Sequence, residues 1–114
     1  MVEKITRNDI AMILIDKTPG ISMDEIITNT LKLNKPFELG IPNNSIKRSL
    51  VRESVDEMIS LGFIKETTER YGSVHKIYYG LTDKGRKVKD YMLGKLITME
   101  NIELANNMHK YFGM

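Results

Sequence analysis

The chain has 114 residues, 41% of them apolar and 28% charged, with a formal net charge of +2, no cysteine and two histidines, His75 and His109. That length fits one domain and excludes separate cofactor and substrate lobes, while the missing thiols exclude disulfides, thiolate metal sites and a Cys nucleophile. Two isolated histidines make no zinc triad, no apolar run approaches the roughly 18 residues of a membrane span, and Met1-Val2-Glu3-Lys4 has no signal layout, so a cytoplasmic protein without metal or cofactor is expected.

The first helix signal is Thr6, an N-cap with Asp9 three residues on, followed by Ile10, Ala11, Ile13 and Leu14 at the spacing of one helical face. Thr18-Pro19-Gly20 stops it. Ser22 and Glu25 form a second capping box, and the helix they open is expected to end near Leu33. From Asn34 to Asn44, Pro36, Gly40 and Pro42 punctuate Phe37, Leu39 and Ile41, which predicts a loop packed by its own apolar side chains. A third helix is expected from Asn44 or Ser45 to Leu61, buried on most sides, with Gly62 as its left-handed stop. Its narrow polar stripe carries Ser45, Ser49, Arg52, Glu53, Asp56 and Ser60, flanked by Arg48, with Lys47 toward the apolar arc.

After Gly62 the period switches to two. Residues 63–69 read as a strand, Arg70-Tyr71-Gly72-Ser73 as a loop and Val74 to Tyr79 as the returning strand, with Tyr78 and Tyr79 on opposite faces. Such a hairpin must lean on the helices to persist. Thr82 caps a fourth helix whose pattern continues almost to the C-terminus. The expected fold is therefore mainly α with one small β-hairpin, an α+β domain ending in a long helix.

Charge is unevenly placed. Residues 1–62 carry a net −1, residues 63–97 a net +4 and residues 98–114 a net −1, so a polyanion meeting the middle third would feel a basic field.

The stretch Val55-Asp56-Glu57-Met58-Ile59-Ser60-Leu61-Gly62-Phe63-Ile64 resembles the recognition-helix end and first wing strand of MarR-like and PadR-like regulators. Tyr79-Gly80-Leu81-Thr82-Asp83-Lys84-Gly85-Arg86 resembles the signature closing their wing, and Ala11 to Ile27 is similar to the PadR-like opening. The closure also recurs in small archaeal chromatin-associated proteins with a helical dimerisation tail. The resemblance covers roughly residues 8–92 and implies a winged helix-turn-helix over residues 1–90, with residues 91–114 as a dimerisation segment. Two departures are the start Pro42 to Arg48, which lacks the aromatic-containing PadR-like pattern, and the longer loop before it.

In such a fold the recognition helix, residues 44–61, enters the major groove of double-stranded DNA, and the wing, residues 63–79, lies along the minor groove or backbone. The candidates for base and phosphate contact are Asn43, Asn44, Ser45, Lys47, Arg48, Ser49 and Arg52, since Arg bonds guanine, Asn adenine and Ser either. Arg52 and Asp56 also read as an i, i+4 surface pair. Arg70, Tyr71, Ser73, His75 and Lys76 are the wing candidates, although a lone strand histidine such as His75 is more often just half-exposed surface. Lys84, Arg86 and Lys87 are expected phosphate contacts or, more blandly, a solvated helix face.

On a helical wheel the tail has a second apolar face, Leu93, Ile97, Leu104, Met108 and Tyr111, which predicts a homodimer through one long helix. The alternative is a break near Gly94 or Thr98 and a fifth helix folded back on its own domain. A sequence-specific transcriptional regulator is the leading expectation; an architectural DNA-binding protein and a protein-interaction module are the others. No enzyme is expected, because the carboxylates are scattered and there is no Gly-rich phosphate loop.

Overall fold

Thr6 fixes where the first helix begins: its hydroxyl accepts from the Asp9 N–H, and the Asp9 carboxylate accepts from the Thr6 N–H at 2.9 Å. The same reciprocal arrangement between Ser22 and Glu25 opens the second helix. In the computed structural model, which describes residues 4–114, the elements in chain order are α1 (Arg7–Lys17), α2 (Met23–Lys32), α3 (Lys47–Ser60), β1 (Ile64–Tyr71), β2 (Val74–Leu81), α4 (Asp83–Leu96) and α5 (Ile102–Phe112). The opening Met1-Val2-Glu3, read above for a targeting layout, lies outside the described residues. The architecture is α+β, five helices and one antiparallel hairpin, and among the described residues no helix is long and apolar enough to cross a membrane.

The main core lies where α1, α2 and α3 meet the base of the hairpin. Ala11, Ile26, Val51, Val55 and Met58 pack there with Ile64, Tyr79 and Leu81. The hairpin is also tied to the α1–α2 connection, because the Tyr79 N–H donates to the Ile21 carbonyl at 3.1 Å. Register runs from Ile64↔Leu81 to Tyr71↔Val74. That leaves only Gly72 and Ser73 at the tip, a tighter turn than the four-residue loop expected; positive φ at Gly72 alone suits the first centre of a two-residue turn.

Two expectations about α3 are corrected. The helix begins at Lys47, not at Asn44 or Ser45, and no side chain caps it, because Asn44 turns its carboxamide oxygen to the Ile46 N–H instead. It also buries one face rather than most: Val51, Ser54, Val55 and Met58 are inside, while Ile46 and Leu61 at its ends are about half exposed.

The long C-terminal helix is corrected too. α4 stops at Leu96, residues 97–101 turn a corner, and α5 folds back on the body. The physical reason is a second core, in which Leu93 and Leu96 of α4 and Leu104 and Met108 of α5 close over Ile5, Ile10, Ile13 and Phe37. Leu93, Leu104 and Met108, expected at a dimer interface, are thus buried within one chain; Ile97 and Tyr111 remain exposed. The break lies next to Thr98, one of the two positions expected for it, and residues 90 and 91 lie inside α4.

The loop after α2 is rigid because Asn34 clamps it, donating to the Ile41 carbonyl at 2.8 Å and accepting from the Ile41 N–H at 3.0 Å. Within it Glu38 holds a left-handed φ of 51°, while its N–H reaches the Lys35 carbonyl and the Leu39 N–H the Asn34 carbonyl. Glycine usually fills that position. Glu38→Gly is expected to raise stability by about 0.5–1 kcal/mol, net of glycine's larger unfolded-state entropy, as read from a urea unfolding midpoint.

Candidate nucleic-acid interface

Exposed side chains of α3 stand beside the base of the hairpin, whose outer half is exposed. Even-numbered β1 residues pair with odd-numbered β2 residues on the face that begins with buried Ile64, Leu81 and Tyr79 and runs outward through Thr68 and Ile77 to Arg70 and His75. Arg52 and Asp56 of α3 act electrostatically on the Tyr79 phenol, which sets them beside this face. Of the wing candidates, Arg70 and His75 therefore share the α3 side. Tyr71 and Lys76 are on the reverse, where Tyr71 and Tyr78 both donate to the Glu69 carboxylate, at 2.6 and 2.8 Å, and Lys76 folds over the Tyr78 ring. Those two phenols hold the Glu69 carboxyl below its ordinary range. Ser73 is exposed in the turn.

Many of the expected contact residues already have work inside the fold. Asn43 accepts from Lys47 Nζ at 3.2 Å, Asn44 shapes the turn before α3, and the Ser49 hydroxyl donates to the Ile46 carbonyl at 2.8 Å. Arg48 is ion-paired with Asp24 from the first turn of α2. Ser45 is exposed and makes no hydrogen bond within the chain. Arg52 is exposed, and among the described residues its side chain has neither an ion pair nor a hydrogen bond; the expected pair with Asp56 does not form. A depression between α2 and α3, lined by Met23, Asp24, Ile27, Arg48, Ser49 and Arg52, leads up to it.

The basic run after the hairpin is largely committed elsewhere. Lys84 donates to the Leu61 carbonyl at 3.0 Å, closing the C-terminal end of α3, and its ammonium lies over the Phe63 ring. Arg86 bonds Asp83 at 3.1 Å and approaches Asp16 at 3.8 Å. Lys87 alone of the three expected phosphate contacts is exposed and unpaired. Lys89 donates to Asp16 at 2.6 Å; burial works to lower its pKa, but the Asp16 and Asp90 carboxylates outweigh it and raise the value. Sequence reading missed Asp16, Asp24, Glu66 and Glu69 as partners, because each faces a cation or phenol brought near by tertiary packing or strand register rather than by helical spacing.

Tyr79 is the most perturbed group on this surface. Its hydroxyl donates to Glu66 at 2.9 Å, and burial first, then that hydrogen bond and the Glu66 charge, push its pKa up to about 12 from 10.0, against the opposing pull of Arg52. A raised phenol pKa favours the neutral form in the folded state, so its contribution is complete below pH 10.0 and is lost as pH rises toward about 12. An ultraviolet titration should show a late phenol ionisation near pH 12 that disappears in Tyr79→Phe.

Among the described residues no group of His, Asp or Glu could hold a metal ion. Comparison with protein-family models, with curated proteins and with solved structures finds no match to this chain.

Proposed function

We propose that this protein is a winged helix-turn-helix DNA-binding protein that works as a homodimer and regulates transcription. In this reading α2 and α3 are the helix-turn-helix, the first two turns of α3 meet the major groove, and the hairpin is the wing. The order α1, α2, α3, hairpin, α4 supports it, as does the backbone bond from Tyr79 to Ile21, which ties the hairpin to the α1–α2 connection. One observation carries the reading: beyond Tyr78 the hairpin projects with both faces exposed, and its Arg70 and His75 lie on the face that begins at Tyr79, beside which Arg52 stands unpaired. A ribbon of that kind adds little to the core, so its place beside α3 is explained by something bound outside.

The test is duplex binding measured against salt, with a duplex selected from a random pool and with random duplexes. A regulator should prefer its selected site by about 10³ or more. Steep salt dependence without preference would instead identify an architectural protein. A protein-interaction module is favoured by one specific observation, the exposed Tyr71, Val74 and Ile77 on the hairpin. Absence of binding to any duplex at about 50 mM salt would leave that reading in place of DNA.

A further inference from the structure

The corner between α4 and α5 is closed by little. The Asn101 N–H donates to the Thr98 carbonyl at 3.0 Å, the Thr98 N–H to the Leu96 carbonyl at 3.1 Å, and the Asn101 side chain to that same carbonyl at 3.1 Å. Residues 97–101, Ile-Thr-Met-Glu-Asn, contain neither glycine nor proline, so nothing in them forbids a helix. Around this corner stand large apolar side chains without cover: Met99 is 92% exposed, Tyr91 70% and Ile102 65%. α5 itself is held by Leu104 and Met108 in the second core, by Phe37 against Tyr111 and Phe112, and by the Asn107 side chain donating to the Pro36 carbonyl at 3.1 Å. Among the described residues no ion pair fastens it to the body.

We propose that α5 is exchanged between two copies of this chain. The corner straightens, residues 83–112 run as one helix of about 45 Å, and Leu104 and Met108 of each copy fill the second core of its partner. The structure dictates the occupant. The hollow formed by Ile10, Ile13 and Phe37 is complementary to α5, and a second copy carries the same α5, so the packing that α5 gives up on its own body is restored on its partner's. Straightening also aligns what is now exposed. At about 100° per residue, Tyr91, Ile102 and Met99 fall within an arc of roughly 80° on one face of the continuous helix, a seam where the two long helices can meet. The exchange deepens the homodimer part of the proposed function and is independent of DNA binding.

Because the chain has no cysteine, thiols can be introduced singly. Pro36→Cys chains and Asn107→Cys chains are unfolded, mixed, refolded and treated with a short bismaleimide, beside a control mixture of Glu57→Cys with Asn107→Cys. Exchange predicts a dimer mass by sedimentation and a covalent heterodimer in the first mixture only. A dimer mass without that heterodimer overturns the exchange and leaves a homodimer paired in another way. A one-chain mass at micromolar concentration overturns both. Met99→Pro supplies an independent check. Met99 is the second residue of the Thr98–Asn101 turn, where proline is favoured, and its N–H has no partner among the described residues, so the folded-back form is kept. In a continuous helix the same proline is disruptive and should weaken the dimer by roughly 100-fold or more. A Met99→Pro chain that keeps both its dimer mass and an unchanged dissociation constant would overturn the straight-helix form.

Discussion

Gly85→Ala is expected to destabilise the fold by about 3 kcal/mol, lowering the melting temperature by roughly 10 °C. Helix propensity alone predicts the opposite sign, a gain of up to about 1 kcal/mol for replacing glycine inside a helix. Space decides between them. A Cβ at residue 85 would stand 2.0 Å from the Phe63 carbonyl oxygen and 2.9 Å from its carbon, and both are backbone. Neither can swing aside, because Thr82 locks this junction: its N–H donates to the Phe63 carbonyl at 3.0 Å, its hydroxyl to the Gly62 carbonyl at 2.6 Å, and that same hydroxyl accepts from the Gly85 N–H. Relief therefore requires α4 to lift off the end of α3. Gly94, on the same helix, has open space where its Cβ would go, and Gly94→Ala should stabilise by about 0.5–1 kcal/mol. Thermal melts of the two variants should move in opposite directions; a stabilising Gly85→Ala would show that the α4 junction yields.

Arg52→Ala is expected to cost a selected duplex about 10- to 100-fold in affinity and random duplexes only a few-fold. A guanidinium bonded to a guanine edge is worth roughly 1–3 kcal/mol of discrimination, whereas a phosphate contact is felt on every sequence. Arg52 is singled out because it stands on the exposed face of α3 with no anion to satisfy it, unlike Arg48, which is paired with Asp24. Binding through Arg48 first requires that pair to open, so Asp24→Asn should tighten binding to all duplexes by freeing a cation and removing an anion. Arg70→Ala, on the hairpin face shared with Tyr79, should weaken selected and random duplexes alike. These differences are measured as binding isotherms at several salt concentrations; equal losses for Arg52→Ala on all sequences would sink base reading by α3.

Local signals in the sequence carried well into the fold. The boxes Thr6 with Asp9 and Ser22 with Glu25 are contiguous patterns with local physics, and both form as read. The change of period at Phe63 marked the hairpin, because alternation needs only neighbours along one strand. Where two remote segments compete, the pattern misled. The helical wheel of the tail found two apolar faces, yet in the single chain α5 turns back and Leu104 and Met108 cover Ile10, Ile13 and Phe37, a contact no window around residue 98 contains. The uneven charge was legible in amount but not in destination. Lys84, Arg86 and Lys89 contribute to the positive third of the sequence, and packing commits them to a helix end and to Asp16.

The contact between Tyr79 and Ile21 has a consequence for self-association. A two-stranded sheet has two open edges, each a row of unpaired peptide groups on which a strand from another molecule can grow. The β2 edge is blocked near its base, where Ile21 takes the Tyr79 N–H. The β1 edge has no such neighbour, and four of its eight residues, Lys65, Glu66, Glu69 and Arg70, are charged. Like charges stacked across two β1 strands in parallel register repel. The base of one edge is thus capped by the chain's own backbone, while along the other like charges oppose an in-register parallel neighbour.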